Sequence, residues 1–209
     1  MKRLLSILAL STWVCASPTF ARATESSADK STSKTGATSS ATSAPPAAAP
    51  TQAMLQMQRL LKKFSGTWSI TEDYAPSQWA PKGATGKGEE IWKSGPGGLS
   101  LVEDYSSNGS TGEFHGMSVT WWDEAAQGYR AIWCDSQNPE GCIYMTRLGK
   151  WEGDRLVLGD ERDVNGKKVI FKETVSDITP TSFTQTIYAG EIEGSLKRTV
   201  TIKATKTGG

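Results

Sequence analysis

The chain has 209 residues, with 23 basic side chains, 22 acidic side chains and one histidine. This near-neutral balance, without a dense cluster of lysines and arginines, argues against a nucleic acid as partner, because phosphate neutralisation requires such clusters. One histidine cannot build a Cys₂His₂ zinc site, and we expect neither a metal nor a cofactor.

The first 23 residues have the features of a secretory signal peptide. Lys2 and Arg3 precede an apolar run from Leu4 to Ala16, which is too short to span a bilayer comfortably. Small residues favour cleavage after Ala23, with cleavage after Ala21 as the alternative. Cleavage after Ala23 removes three basic residues and no acidic one, which leaves a net charge of −2. We therefore expect an exported protein, periplasmic or extracellular, without a stable membrane anchor.

Residues 24–50 are of low complexity, since 23 of these 27 residues are Ser, Thr, Ala, Pro or Gly. Without aromatic or large aliphatic side chains, the segment cannot bury enough surface to offset its ordering entropy. We predict a disordered linker, followed by one folded domain over residues 51–206.

The domain is predicted to open with a helix between Thr51 and Phe64. Apolar residues recur there at spacings of three and four, as one helical stripe: Met54, Met57, Leu60, Leu61 and Phe64. Lys62 and Lys63 suit the negative end of the helix dipole, and Gly66 suits a C-terminal stop.

After Gly66 the period of the sequence changes from 3.6 to 2, as in "TWSITEDY", where Trp68, Ile70 and Tyr74 share one face. About ten such short segments follow, separated by turn signals such as Asn165-Gly166. Consecutive strands with short connections indicate an antiparallel meander, which protects its edges best by closing. We predict an all-β, up-and-down barrel of about 8–10 strands, with the helix across one mouth and Trp68 filling that base. A two-sheet sandwich is the alternative.

Two cysteines remain after signal cleavage, Cys134 and Cys142, on either side of a predicted turn at 138–141. An even pair in an exported chain predicts a disulfide across a hairpin at the barrel rim. Two reduced, buried thiols are the alternative.

Three stretches carry a family resemblance: "LLKKFSGTW", "GKGEEIWKSGPGGLSLVEDY" and "FHGMSVTWWDEAAQGYRAIWCDS". They resemble a bacterial family known as domain of unknown function 1579 and, more widely, the calycin group of lipocalins, fatty-acid-binding proteins and nitrobindins. The resemblance covers about 54–206 and implies a lipocalin-like barrel, without an established reaction or ligand. Barrels of this group often bring an arginine over the first tryptophan, which makes Arg198 the candidate for a structural latch on Trp68. The Cys134–Cys142 pair and the long linker depart from the family pattern.

The candidate ligand-binding residues are polar or aromatic groups at inward strand positions. Glu103 follows Leu101, and Glu173 follows Phe171, so both carboxylates enter the barrel if these faces point inward. The alternative is that both lie near strand ends in solvent. The remaining candidates are Tyr105, His115, Trp133, Tyr144 and Gln185.

Asp135 shares a strand face with Trp133. A cap on the backbone of the following loop is the expected role of its carboxylate, in preference to catalysis. No catalytic residue is assigned, and an enzyme is not the favoured interpretation.

Three functions remain open from the sequence. The first is a barrel that binds a small, mostly apolar molecule. The second is a filled barrel that acts as an interaction or structural module. The third is a haem protein of nitrobindin type, but 182–203 lack the C-terminal histidine of that family, which leaves only His115. The adjacent Trp121 and Trp122 place one indole outside, which suggests self-association as a homodimer.

Overall fold

The computed structural model describes residues 49–209, apart from 78, 79, 111, 140, 165 and 193 and the side chain of 164. The predicted signal peptide and nearly all of the predicted linker lie outside the described residues. The described part contains one α-helix, a short 3₁₀ turn at Pro96–Gly98 and eleven β-strands. Their bounds are α1 Gln52–Phe64, β1 Gly66–Tyr74, β2 Ala84–Ser94, β3 Ser100–Gly109, β4 Gly112–Asp123, β5 Gly128–Asp135, β6 Ile143–Tyr144, β7 Arg147–Glu152, β8 Arg155–Val164, β9 Lys167–Ser176, β10 Ser182–Glu191 and β11 Lys197–Gly208.

Ten of these strands form a closed antiparallel barrel. Each of them pairs with its neighbours in chain order, except that β5 pairs directly with β7. The last strand, β11, pairs with β1 and so closes the sheet. The two-residue β6 pairs with β5. The predicted up-and-down barrel with a preceding helix is confirmed, and the sandwich alternative is wrong because the sheet closes. Within the described residues, no helix combines the length and apolar character needed to cross a bilayer.

The helix α1 begins and ends where its sequence predicts. Thr51 Oγ1 accepts a hydrogen bond from the Met54 amide, which caps the first turn. Gly66 then turns the chain into β1 with φ +132°, and a Cβ at this position would lie 2.6 Å from the Gly208 carbonyl oxygen. The buried face of α1 comprises Met57, Leu60 and Phe64, so this stripe packs into the base of the barrel.

Trp68 fills the base of the barrel, as predicted. Its side chain is fully buried, its indole N–H donates to the Phe64 carbonyl at 2.7 Å, and its ring packs against Phe183 at 4.7 Å. The cation above it is Lys206, whose Nζ lies 5.4 Å from the ring centroid and donates to the Ser65 carbonyl at 3.0 Å.

The expected Arg198 latch is therefore wrong. β11 runs antiparallel to β1, with Lys206 opposite Trp68 and Val200 opposite Tyr74. Eight residues of extended chain separate Arg198 from Lys206, about 26 Å along the strand. Arg198 instead pairs with Asp73 at 2.7 Å, at the far end of the barrel.

Candidate functional site

A cavity of about 1490 Å³ occupies the half of the barrel away from α1. Its lining includes the loop between β1 and β2 and the start of β11, which lie where β1 ends. The helix and Trp68 close the opposite end, where β1 begins. Since this volume exceeds what a drug-sized molecule needs, the barrel has room for a small ligand.

Three glutamates and one glutamine line this cavity at inward positions of four strands. Glu72 lies on β1, Glu103 on β3, Glu173 on β9 and Gln185 on β10. Glu72, Glu103 and Gln185 are buried and Glu173 is partly buried. Side chains two residues apart share one face of a strand, so each of these groups emerges between apolar neighbours such as Ile70, Leu101 or Phe171.

Glu72 is held by two tyrosines and by the absence of a side chain opposite it. Tyr74 Oη donates to Glu72 Oε1 at 2.8 Å, and Tyr105 Oη donates to the same oxygen. Gly86 is its register partner on β2, and a Cβ there would lie 1.9 Å from Glu72 Oε2. Burial, together with the hydrogen bond to Glu72 and its charge, raises the pKa of both tyrosines above their ordinary value, so both remain hydrogen-bond donors.

Glu103 accepts a hydrogen bond from Ser118 Oγ at 2.6 Å. Burial and then the charge of Glu90 raise the pKa of Glu103 well above its ordinary value, against the opposite effect of the Ser118 hydroxyl. Ser118 is its register partner on β4, so the pair is fixed by sheet geometry.

Glu90 is buried beside the cavity without lining it; it lies opposite Trp68 in register and is 0% exposed. Trp92 Nε1 donates to its Oε2 at 2.9 Å, and its Oε1 has no hydrogen-bond partner among the residues that the structure describes. Burial first, then the charges of Glu173 and Glu72, raise the pKa of Glu90 to about 8, although the Trp92 hydrogen bond opposes them.

Glu173 and Gln185 complete the polar part of the site. Burial raises the pKa of Glu173 to about 7, which places its titration near neutral pH. The side chain of Gln185 is only 4% exposed, and within the described part of the chain its Oε1 has no hydrogen-bond partner. Both side chains line the cavity, and Gln185 presents to it an oxygen without a partner among the described residues.

Aromatic rings form the apolar part of the wall. Phe114 stacks on Trp133 at 6.3 Å between ring centroids, and Tyr105 packs edge-on against Phe114 at 5.8 Å. Gly116 leaves room for this group, since a Cβ there would lie 2.5 Å from the Trp133 ring. Trp133 is also fixed by its indole N–H, which donates to Asp135 Oδ2 at 2.9 Å. The remaining aromatic lining residues are Tyr74, Trp92 and Phe171.

Among the described residues, four cations line the cavity, and all of them lie near its mouth. Arg162 Nε pairs with Asp160 Oδ2 at 2.7 Å, and Arg198 Nη1 pairs with Asp73 Oδ2 at 2.7 Å. The other two are Lys82 and Lys197. The two arginines are thus neutralised locally, while the glutamates lie farther inside.

The disulfide lies beside the same mouth. Cys134 and Cys142 are joined, as predicted, with their Cα atoms 4.1 Å apart. Asp135 Oδ1 accepts from the Gln137 amide at 2.9 Å, so the expected loop-capping role of Asp135 is confirmed. The disulfide holds a loop that contributes Asp135, Gln137 and Ile143 to the lining.

Five of the seven candidate ligand residues line the cavity: Glu103, Tyr105, Trp133, Glu173 and Gln185. His115 does not, because Phe114 takes the inward position on β4 and the His115 side chain is 60% exposed beside Glu113. The prediction that Tyr144 lines the site is also wrong, since this side chain is 48% exposed on β6 and contacts Trp121.

Two acids of the site, Glu72 and Glu90, were not among the candidate residues predicted from the sequence. Glu72 continues the inward face of Ile70 and Tyr74, and Glu90 precedes Trp92 on the inward face of β2. The period of two was the available signal, but a carboxylate on such a face usually marks a solvated position. Within the described residues, no group of three or more His, Cys, Asp or Glu side chains is arranged to hold a metal ion.

Comparison with known proteins gives similar folds and no family. No family model matches the chain, and no curated protein matches it in sequence. Similar solved structures include Rv2717c from M. tuberculosis, with 9% identity over 72% of this chain and 97% of that chain and a TM-score of 0.48. The S-type phycobiliprotein lyase CPES from Guillardia theta has 12% identity over 76% and 98%, with a TM-score of 0.46. The redesigned β-barrel mFAP1, solved bound to DFHBI, has 13% identity over 75% and 100%, with a TM-score of 0.37. Similarity this distant carries no argument about ligand or activity.

Proposed function

We propose that this chain is an exported binding protein that holds a small, mostly apolar molecule inside its barrel. The observation that carries the proposal is the cavity of about 1490 Å³, with an aromatic wall and a few converging polar groups. Binding sites for small molecules combine these features, because apolar walls supply affinity and a few fixed polar groups supply orientation.

The two other functions considered from the sequence have less support. A filled barrel requires the indoles to occupy the lumen, whereas Trp92 and Trp133 lie along the wall of an open space. Haem ligation of the nitrobindin type requires an inward histidine, and His115, the only histidine of the chain, lies on the outer surface.

Export is the second part of the proposal. The predicted signal peptide supports it, and so does the disulfide between Cys134 and Cys142, since such bonds persist in oxidising compartments. Fractionation of the native host, followed by N-terminal sequencing of the mature chain, tests it. A mature chain beginning at Thr24 or Arg22 in the periplasm or medium is expected, and an uncleaved cytoplasmic chain contradicts export.

Membership of the domain of unknown function 1579 family is also proposed, on the three stretches that resemble it. This relationship predicts that other members also carry glutamates at the positions of Glu90 and Glu103, on the inward faces of their second and third strands. A solved member with outward or apolar residues at both positions contradicts this relationship.

Binding is tested with an apolar fluorescent probe, N-phenyl-1-naphthylamine, whose emission rises in a dry apolar site. We expect saturable 1:1 binding to the mature domain. Ala189→Trp, which places an indole in the cavity, is expected to weaken binding at least tenfold. The matched control is Met117→Trp, at a position of β4 that is 42% exposed, and it should leave binding unchanged. Equal effects of the two substitutions, or no saturable binding, contradict the proposal.

A further inference from the structure

Among the described residues of the barrel interior, four glutamates have no cation paired with their carboxyl group. Among the ion pairs in the described part of the chain, none involves the side chains of Glu72, Glu90, Glu103 or Glu173. A buried carboxylate is ordinarily paired with a cation or surrounded by donors, because its desolvation is otherwise costly. Glu90, Glu103 and Glu173 accordingly have a raised pKa, and the residues that the structure describes supply no cation to any of the four when they ionise.

The donors that do reach these carboxylates are neutral. They are the hydroxyls of Tyr74, Tyr105 and Ser118 and the indole N–H of Trp92. Each satisfies part of one carboxylate without neutralising its charge. When ionised, these carboxyl groups therefore have more acceptor atoms than the neutral donors satisfy.

Two buried side-chain oxygen atoms of the described interior lack a hydrogen-bond partner. Gln185 Oε1 and Glu90 Oε1 are buried and have no partner among the residues that the structure describes. Gln185 lines the cavity, so its free oxygen is available to an occupant. A buried acceptor without a donor lowers stability, and a ligand that donates a hydrogen bond to it removes that loss.

We infer that the ligand is a cationic amphiphile: a protonated primary or secondary amine on an aromatic or aliphatic body, with its nitrogen directed at Glu103, Glu173 and Gln185. This inference rests on the proposed binding function and specifies its ligand class. An ammonium group has only donors, so it complements a site that has a surplus of acceptors. Burial is the largest cause of the raised pKa of Glu103 and of Glu173, and an ammonium beside these two carboxyl groups favours their ionised form.

The aromatic wall suits the rest of such a molecule. Trp92, Tyr105, Phe114 and Trp133 present ring surface beside the carboxyl groups. Aromatic faces attract an ammonium through their quadrupole and also pack against an apolar body. An anionic ligand such as a fatty acid is disfavoured with its headgroup inside, because like charges repel at short range in a poorly solvated site.

The mouth sets the orientation of the ligand. Arg162 and Arg198 are paired with Asp160 and Asp73, so they add little net positive charge. Lys82 and Lys197 also line the entrance and disfavour a second ammonium there. The ligand therefore carries its amine at the inner end and a neutral or anionic group at the outer end.

The test compares ligands that share one body and differ in their charge. The first set is dodecylamine, dodecanol and dodecanoate, and the second is 2-(1-naphthyl)ethylamine, 2-(1-naphthyl)ethanol and 1-naphthylacetate. Binding to the mature domain at pH 7.5 is measured by calorimetry, below the micelle concentration of each probe. In each set we expect the amine to bind at least tenfold more tightly than the alcohol, and the acid to bind most weakly.

Isosteric neutral variants link this preference to the named residues. Glu103→Gln and Glu173→Gln should each weaken amine binding about tenfold and leave alcohol binding within twofold, so the preference decreases. Glu89→Gln, an exposed position on β2, is the matched control and should change neither. Circular dichroism in the near ultraviolet checks that each variant is folded.

The outcomes separate the two levels of the proposal. Alcohols or acids that bind as tightly as the amines overturn the cationic ligand and leave the binding function intact. A preference for amines that survives both glutamate substitutions also overturns it, because the nitrogen then lies elsewhere. No binding of any probe, together with no saturable binding of N-phenyl-1-naphthylamine, contradicts the binding function itself.

Discussion

Buried carboxyl groups without cations reverse the usual dependence of stability on pH. Glu90 is the clearest case, because it is 0% exposed and its pKa is raised to about 8, with burial as the largest cause. In the unfolded chain this carboxyl releases its proton near pH 4.5. Between pH 4.5 and 8 the folded chain therefore binds a proton that the unfolded chain has lost. Its contribution to stability is present below pH 4.5 and decreases as the pH rises through 8.

The magnitude follows from the displacement of the pKa. One pH unit is worth about 1.4 kcal/mol per proton, so a pKa raised from 4.5 to about 8 corresponds to a loss on the order of 5 kcal/mol. Water that enters the cavity solvates part of the charge and reduces this loss. We expect the free energy of unfolding to fall by at least about 2 kcal/mol between pH 5 and 8. Glu173, with its pKa raised to about 7, acts in the same direction.

Glu90→Gln isolates this effect. The amide keeps an acceptor for Trp92 Nε1 and supplies a donor toward the neighbouring carboxyl groups, without a charge to desolvate. We expect the variant to be more stable than the wild type at pH 8 and to lose less stability between pH 5 and 8. Glu89→Gln, on the exposed face of β2, should keep the wild-type slope.

Urea unfolding, followed by tryptophan fluorescence at pH 5, 6, 7 and 8, measures these slopes. Burial raises the pKa of Asp160, but the hydrogen bonds from Thr146 and the pairing with Arg162 outweigh it, so this pKa is lowered and Asp160 titrates below the range. A wild-type stability that is flat or rises from pH 5 to 8 would refute the reasoning. So would an unchanged slope in Glu90→Gln.

Three further predictions concern the frame of the site. The denatured, unreduced protein should show no free thiol in a dithionitrobenzoate assay, and two titratable thiols contradict the disulfide. Replacing Cys134 and Cys142 by serine should lower the free energy of unfolding by about 2.5 kcal/mol. Gly116→Ala should lower the free energy of unfolding by about 1–3 kcal/mol, because the new methyl overlaps an indole of the wall; an unchanged urea midpoint contradicts the packing. Lys206→Met should lower the free energy of unfolding by about 1–2 kcal/mol, and Arg198→Met should lower it by less than about 1 kcal/mol. A larger loss in Arg198→Met than in Lys206→Met would support Arg198 as the latch on Trp68.

Most of the architecture could be predicted because its signals are local. The change of period at Gly66, the helix stripe that ends at Phe64 and the short turns depend on neighbouring residues alone. Closure of the meander then follows from the need to protect sheet edges. The disulfide follows in the same way from two cysteines and a turn between them.

The side chains inside the barrel were harder to predict, because this interior is not uniformly apolar. On β4, Met117 is part of the apolar alternation and yet is 42% exposed, while Ser118 and Thr120 are buried inside. Periodicity separates two faces of a strand, but closure of the sheet decides which face is inward. The same ambiguity left Glu90 out of the predicted site, whereas His115 was included because it is the only histidine of the chain.

Arg198 shows a different limit. Its strand and its approximate face could be derived, but its partner depends on the register between β11 and β1, which are about 125 residues apart in the chain. The register places Lys206 over Trp68 and Arg198 beside Asp73. Pairings over such separations are fixed by the whole barrel and leave no local signal.

Native mass spectrometry of the mature domain, 51–209, purified from its own exporting host, tests the central claim most directly. The native mass should exceed the denatured mass by that of one small molecule, and the added molecule should contain a basic nitrogen. Ala189→Trp should reduce the ligand-bearing fraction, and Met117→Trp should not. A native mass equal to the denatured mass, in a protein that also fails to bind N-phenyl-1-naphthylamine or either amine probe, would contradict the account of this barrel as a binding protein.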